Sequence, residues 1–261
     1  MKFRSVFMTL SCAFALAACG GQDGSASVQA GSAAAEVPAG SVKVQTAHGE
    51  AVVPQNPERV AVYDLGAVDT LSKLGVKIGA SVDAQRLAYL DASLKDAVKA
   101  GTLFEPNYEA LNAYNPQLIV IGSRMAKDKV SDELAKLAPT IDMTAQTDNM
   151  KESAKARIDA YGRIFGKQAE ADALKAEIDK TFADAKAAAQ GKGKGLVILV
   201  NAGKLSAFGP DSRLGGWIHR DIGVPAVDEA LRRVRTDSRF LLNISRRKIR
   251  TGCLSSTAVR R

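Results

Sequence analysis

Asn115-Pro116-Gln117-Leu118-Ile119-Val120-Ile121 decides the fold. The proline has no amide hydrogen and disfavours helical backbone in the residue before it, so Asn115-Pro116 ends the helix expected over Tyr108–Tyr114. Four apolar residues then follow without alternation. That pattern suits a strand of a parallel sheet covered on both faces. Working outward, Arg59-Val60-Ala61-Val62-Tyr63 reads as a second buried strand. An amphipathic helix over Ala67–Leu74 follows it, with Gly75 as its stop. Lys77–Val82 gives a further strand. Strands alternating with helices predict one α/β lobe over residues 42–148. That lobe opens with a small hairpin, Val42–Thr46 against Ala51-Val52-Val53, with His48 as a turn residue.

Residues 149–190 are rich in Ala, Lys, Glu and Asp and contain no proline, and Ile158, Tyr161, Ile164, Leu174 and Ile178 recur at helical spacing. They predict one long linking helix with a bend near Gly166. Gly191–Gly195 ends it; these glycines lack the Gly-Lys-Ser/Thr order of a phosphate loop and read as a linker. Leu196-Val197-Ile198-Leu199-Val200 then opens a second α/β unit over 195–231. The fold class expected is α/β and bilobed: two α/β lobes joined by a long helix, the second lobe incomplete.

The amino terminus sets the compartment. Lys2 and Arg4 precede the apolar stretch Ser5–Ala18, which is too short to span a bilayer and ends in small residues. We read residues 1–18 as an export signal. Leu16-Ala17-Ala18-Cys19 resembles a lipobox, in which cleavage precedes the cysteine and its thiol carries a lipid; the alternative is a buried helix that happens to contain these residues. Acyl chains at about 0.8 kcal/mol per buried CH₂ anchor a protein without a transmembrane helix. Residues 19–41, rich in Gly, Ser and Ala, read as a tether.

The formal charge of +8 and the pI near 9.4 suggest a polyanion partner until the charge is located. Residues 231–261 hold nine Arg and one Lys against Asp237 alone, whereas residues 1–230 carry a net −1. The body is therefore not a nucleic-acid binder by charge. Cys12, Cys19 and Cys253 do not suggest a structural disulfide, and two His with no paired Cys/His spacing leave a zinc site without ligands. No Ser/His/Asp order, metal motif or phosphate loop points to an enzyme, so no catalytic or metal residue is assigned.

Three blocks carry a resemblance. They are His48-Gly49 through Pro57-Glu58-Arg59-Val60, then Asn107–Leu111 with Asn115–Ile121, then Ser206-Ala207-Phe208-Gly209-Pro210-Asp211-Ser212-Arg213-Leu214-Gly215. In this order, behind a lipobox, the chain resembles the ferric-siderophore-binding proteins of ABC importers, and within them the catecholate, enterobactin-type subgroup. The resemblance implies a shallow cleft between two lobes, small hinge motion, and a monomer in the periplasm, held to a membrane by its lipid. It would pass an iron(III)–siderophore complex to an ABC permease, with no cofactor of its own. A ferric tris-catecholate carries about three negative charges, and arginine meets it with a fixed charge, a forked donor and a face that stacks on rings. Arg124, just after the strand Leu118–Ile121, is the first clamp arginine that the resemblance implies, and strand carboxyl ends are where open α/β sheets bind ligands. Arg213, in a turn-rich segment, is the second; without the resemblance it reads as a loop arginine paired with Asp211 or as part of a helix start. Tyr63 and Ser123, at two strand ends, are rim candidates, and the resemblance makes Glu109 a docking residue for the permease.

Past Leu231 the family pattern gives way to Arg232-Arg233-Val234-Arg235 and Ser245-Arg246-Arg247-Lys248-Ile249-Arg250. We expect a frameshift there. Synonymous codons for Thr236–Thr257, read one nucleotide earlier, permit HGQPVSFEYIKKKNPDWLFIIDR, which looks like a second-lobe segment of the family and repeats the Asn115–Ile121 pattern. The alternative is a natural basic tail over 232–261 for anionic lipid or nucleic acid. A frameshifted second lobe would leave apolar faces uncovered and weaken ligand binding. Competing functions are a haem or cobalamin receptor of the same fold and a surface-exposed structural or adhesin lipoprotein.

Overall fold

The computed structural model describes residues 37–82, 87–123, 125, 129–202 and 204–236. Cys19 and the export signal lie outside them, as does most of the tether. Strands β1 (Ser41–Thr46) and β2 (Gly49–Pro54) pair antiparallel through the two-residue turn Ala47-His48, as the alternating pattern predicts.

The first lobe is a parallel sheet in the order β5-β4-β3-β6-β7. Its strands are β3 (Val60–Val62), β4 (Ala80–Ser81), β5 (Val98–Lys99), β6 (Leu118–Ile121) and β7 (Thr140–Asp142). Helices α1 (Leu65–Lys73), α2 (Asp91–Leu94), α3 (Tyr108–Tyr114) and α4 (Lys129–Ala135) connect them. The unbroken apolar run of β6 has a direct cause. Leu118 and Val120 join Val60, Val62, Val68 and Leu71 in one buried cluster, while Ile119 and Ile121 join Ala61, Leu111 and Leu134 in another on the opposite face. Asn107 caps α3, its Oδ1 accepting from Ala110 N at 3.0 Å, and Asn115 at φ +52° closes the helix in the left-handed conformation.

The single linking helix expected over 149–190 is instead two helices, α5 (Met150–Ile164) and α6 (Gln168–Ala189). Gly166, at φ +61°, reverses the chain between them, a backbone that an L side chain rarely adopts. They pack antiparallel. Lys151 and Lys155 each reach Asp179 at 2.7 Å near one end, Lys175 reaches Asp159 at 2.9 Å, and near the turn a Cβ on Gly162 would lie 2.7 Å from Ala171 Cβ. Helix α5 belongs to the first lobe, burying Ile158, Tyr161 and Ile164 against β3 and β6. The long element that leaves the lobe is α6, 22 residues and about 33 Å.

Beyond α6, β8 (Val197–Asn201), β9 (Lys204–Phe208) and β10 (Val234–Arg235) form an antiparallel sheet in the order β10-β9-β8. The sheet thus runs past Leu231, where the sequence reading closed the second lobe. Its apolar residues are poorly covered, with Val200 at 67% exposure and Ile198 at 43%. A π-helical turn, Trp217–Asp221, ties this region to α6 through an edge-on contact of Trp217 with Phe182 at 6.5 Å between centroids. Arg220 also donates to the Asp148 carbonyl. Among the described residues no helix is long and apolar enough to cross a membrane.

Candidate functional site

Parallel strands deliver all their carboxyl ends to one edge, and in open α/β sheets that edge holds the ligand. At the end of β3, Asp64 caps α1, its Oδ1 accepting from Ala67 N at 2.9 Å, while its Oδ2 meets Arg157 Nη2 at 3.3 Å. A Cβ on Gly122, at the end of β6, would come within 2.1 Å of Asp64 Oδ2, so any other residue there must displace the Asp64 carboxylate. Burial opposes the Arg157 charge, but Tyr161 and Asp64 outweigh it and hold its pKa above the ordinary arginine value. Burial pushes the Tyr161 hydroxyl up to about 12, against the opposing pull of Arg157. Asp64 and Arg157 are half-buried and Tyr161 fully buried at this edge.

A second network fixes the exit of β6. Ser123 holds φ +42°, rare for a residue with a side chain, and its amide donates to Thr144 Oγ1 at 2.6 Å. The same hydroxyl and the Thr144 amide both donate to Asp142 Oδ1, at 2.5 and 2.9 Å. Asp142 Oδ2 lies 2.9 Å from His48 Nε2, and the Asp142 carbonyl accepts from Ala47 N at 2.9 Å. The hairpin tip is therefore joined to the ends of β6 and β7. Sequence reasoning placed His48 in a turn but missed this chain of contacts, because only the Asp142–Thr144 step is local, whereas His48–Asp142 and Ser123–Thr144 join residues far apart in sequence.

The anticipated site residues fare differently. Ser123 is exposed at the carboxyl edge. Arg124 lies outside the described residues. Tyr63 is not a rim residue: it is fully buried, and its hydroxyl donates to the Ala100 carbonyl at 2.7 Å. Burial, then Tyr108, raises its pKa, so it remains a neutral core donor. The alternation along β3 turns Tyr63 and Ala61 into the same inner cluster. Glu109 is exposed in the first turn of α3.

Arg213 sits on a tightly built turn. Buried Ser212 donates through Oγ to the Gly209 carbonyl and accepts from Gly215 N at 3.0 Å. The Gly209 and Asp211 amides donate to the carbonyls of Arg233 and Arg232 at 2.6 and 2.7 Å. A Cβ on Gly209 would lie 1.7 Å from the Leu231 carbonyl oxygen, which explains the glycine. Asp211 does not pair with Arg213. It is held by Arg232, through Nε at 2.8 Å and Nη2 at 3.2 Å. Arg213 is exposed and forms no ion pair among the described residues. Nor, among these, do three His, Cys, Asp or Glu side chains gather to hold a metal ion.

Comparison with known proteins agrees with this architecture. The chain is 37% identical over 235 residues to the petrobactin-binding protein YclQ of Bacillus subtilis, a match covering 88% of this chain and 72% of YclQ. It is 33% identical over 174 residues to the ferric-anguibactin-binding protein FatB of Vibrio anguillarum, covering 64% of this chain and 53% of FatB. The crystal structure of YclQ superposes with a TM-score of 0.65 at 34% identity, over 72% of this chain and 67% of that one. That of the periplasmic catecholate-siderophore-binding protein VctP of Vibrio cholerae gives 0.64 at 29% identity, over 72% and 68%. The sequence reading ended the family pattern at Leu231; the family match runs on to residue 247. With residues 60–247 matching the periplasmic binding protein model, on a parallel α/β lobe followed by a long helix and a second sheet, the chain belongs to the periplasmic binding protein family.

Proposed function

We propose that this chain is the receptor of an ABC importer, capturing a ferric siderophore of the catecholate class outside the cytoplasm and handing it to a membrane permease. The observation that carries the reading is Arg213: an exposed guanidinium with no acidic partner among the described residues, on a turn whose shape is fixed by Ser212 and two glycines. Its neighbouring acid is neutralised by Arg232, so the turn presents net positive charge. A triply negative chelate with outward oxygens is the ligand class that such a group suits. Relatives that bind petrobactin and ferric anguibactin, and the catecholate receptor VctP, support the choice. In this reading Arg124, which follows Ser123 in the sequence, is the first clamp arginine and Arg213 the second, Ser123 lines the rim, Glu109 meets the permease, and a lipid on Cys19 keeps a monomeric receptor at the membrane.

Titrating the full chain with ferric tris-catecholate, read by quenching of Trp217, tests this. Arg213→Ala is expected to weaken binding at least tenfold, since hydrogen bonds to a charged group contribute about 1.5–3 kcal/mol. Binding of haem or cobalamin with no response to the ferric chelate would overturn the reading. The excess of arginine past residue 231 and the uncovered residues of β8 also support a frameshifted second lobe. Replacing Thr236–Thr257 with the alternative-frame segment, which leaves Arg232 and Arg233 in place under the Arg213 turn, is then expected to tighten binding; unchanged affinity would count against the frameshift.

A further inference from the structure

Asp211 is held twice by one residue. Its amide donates to the Arg232 carbonyl at 2.7 Å, and its carboxylate takes the Arg232 guanidinium on both oxygens, Oδ2 from Nε at 2.8 Å and Oδ1 from Nη2 at 3.2 Å. Residues 231–233, which supply this grip, lead into β10 and lie against the start of the turn that carries Arg213. The Arg233 carbonyl accepts from Gly209 N at 2.6 Å, and β10 pairs Val234 with Phe208. The sequence reading assigned Arg232 to an aberrant basic tail; these contacts tie it to the turn instead.

The ion pair does little for folding. Its side chains are 65% and 42% exposed, and solvent screens most of the attraction in that setting. Its consequence is for what approaches Arg213. Asp211 and Arg213 are two residues apart, so their Cα atoms are separated by at most about 7.6 Å. A bare carboxylate that close would repel an anionic ligand held at Arg213 and would compete for the same guanidinium. The separation is shorter than the roughly 8 Å over which physiological salt screens charge, so salt at that level leaves much of both effects. A guanidinium forked onto both oxygens cancels the charge and occupies the acceptors. We propose that Arg232 is a positioning residue for anion binding: by engaging Asp211 it keeps Arg213 free for the ferric chelate and cancels a carboxylate charge that would repel it. This rests on the receptor reading above, and it gives Arg232 no contact with the ligand.

The test titrates ferric tris-catecholate, followed by Trp217 fluorescence, into the full chain and its Arg232→Gln, Asp211→Asn and double variants. Arg232→Gln is expected to weaken binding about three- to tenfold at about 0.1 M salt, a loss that shrinks to within about twofold at about 1 M, where screening acts over about 3 Å. Adding Asp211→Asn to it is expected to bring binding back to within about twofold of the parent, and Asp211→Asn alone to bind at least as tightly as the parent. Adding Glu177→Gln on α6 instead, which restores the same net charge away from the turn, is expected to leave binding weak. Denaturant midpoints are expected to stay at the parent value throughout, which separates the effect from loss of fold. A double variant as weak as Arg232→Gln would overturn the proposal by making Arg232 a direct contact or a structural residue. Full affinity in Arg232→Gln, or equal rescue by Glu177→Gln, would overturn it too. Weaker binding by Asp211→Asn alone would do the same, and that measurement stands even if Arg232→Gln fails to fold. A parent chain that does not bind the chelate removes the receptor reading and this role with it, whereas the other failures leave the receptor standing.

Discussion

Strand β6 reads Leu-Ile-Val-Ile and strand β8 reads Val-Ile-Leu-Val-Asn, nearly the same composition, yet their fates are opposite. All four residues of β6 are fully buried, whereas Ile198, Leu199 and Val200 of β8 are exposed. The difference lies in what surrounds each strand. Strand β6 has parallel neighbours on both sides and apolar clusters on both faces; among the described residues β8 is an edge strand, with β9 on one side and little cover above it. An apolar run specifies a strand. Only the neighbouring elements decide whether that strand becomes core, and an uncovered one is a surface prone to association.

The sharpest way to break the comparison is to truncate matched residues. Ile119→Ala is expected to cost about 2–5 kcal/mol in denaturant unfolding, through lost transfer energy and a cavity, while Val200→Ala stays within about 0.5 kcal/mol. Comparable losses at the two sites would mean that β8 is covered in solution. Next in size is Gly122→Ala. Its added methyl group meets Asp64 Oδ2, so a loss of about 1–3 kcal/mol is expected, and Gly191→Ala, where a Cβ meets nothing within 4 Å, isolates the strain of its positive φ from crowding.

The smallest effect concerns pH. Tyr161 titrates near 12 in the folded chain and near its ordinary value of 10.0 when unfolded, so the folded state keeps its proton longer. Its contribution is complete below pH 10 and is lost as pH rises towards 12, amounting to about 1 kcal/mol at pH 11. Tyr161→Phe is expected to flatten that part of the alkaline stability curve; an unchanged slope between pH 10 and 12 would disprove the assignment.

How far the sequence is legible follows from the same contrast. Helix α3 and strand β6 are readable residue for residue because their signals are local: Asn107 as cap, Asn115 as stop, then an apolar run. The division of 149–190 into α5 and α6 is not, since helical periodicity continues on both sides of Gly166 and only a left-handed φ separates them. The site shows the same limit. The turn bearing Arg213 is announced by its glycines and proline, whereas the misplacement of Tyr63 arises because a strand-end position does not tell which face the last side chain takes. In the web joining His48, Asp142, Thr144 and Ser123 only the Asp142–Thr144 step is local; the links that carry it to His48 and Ser123 join residues distant in sequence, and no pattern along the chain marks them.

The reversal at Gly166 also has a mechanical consequence. Helix α6 is gripped beside the turn by α5 and again, about 21 Å farther along at Phe182, by Trp217. Between these two grips Lys175 pairs with Asp159, and Asp179 with Lys151 and Lys155, so α5 and α6 form one brace rather than a free arm. Load arriving at Trp217 is thus passed into the first lobe over two helices instead of one.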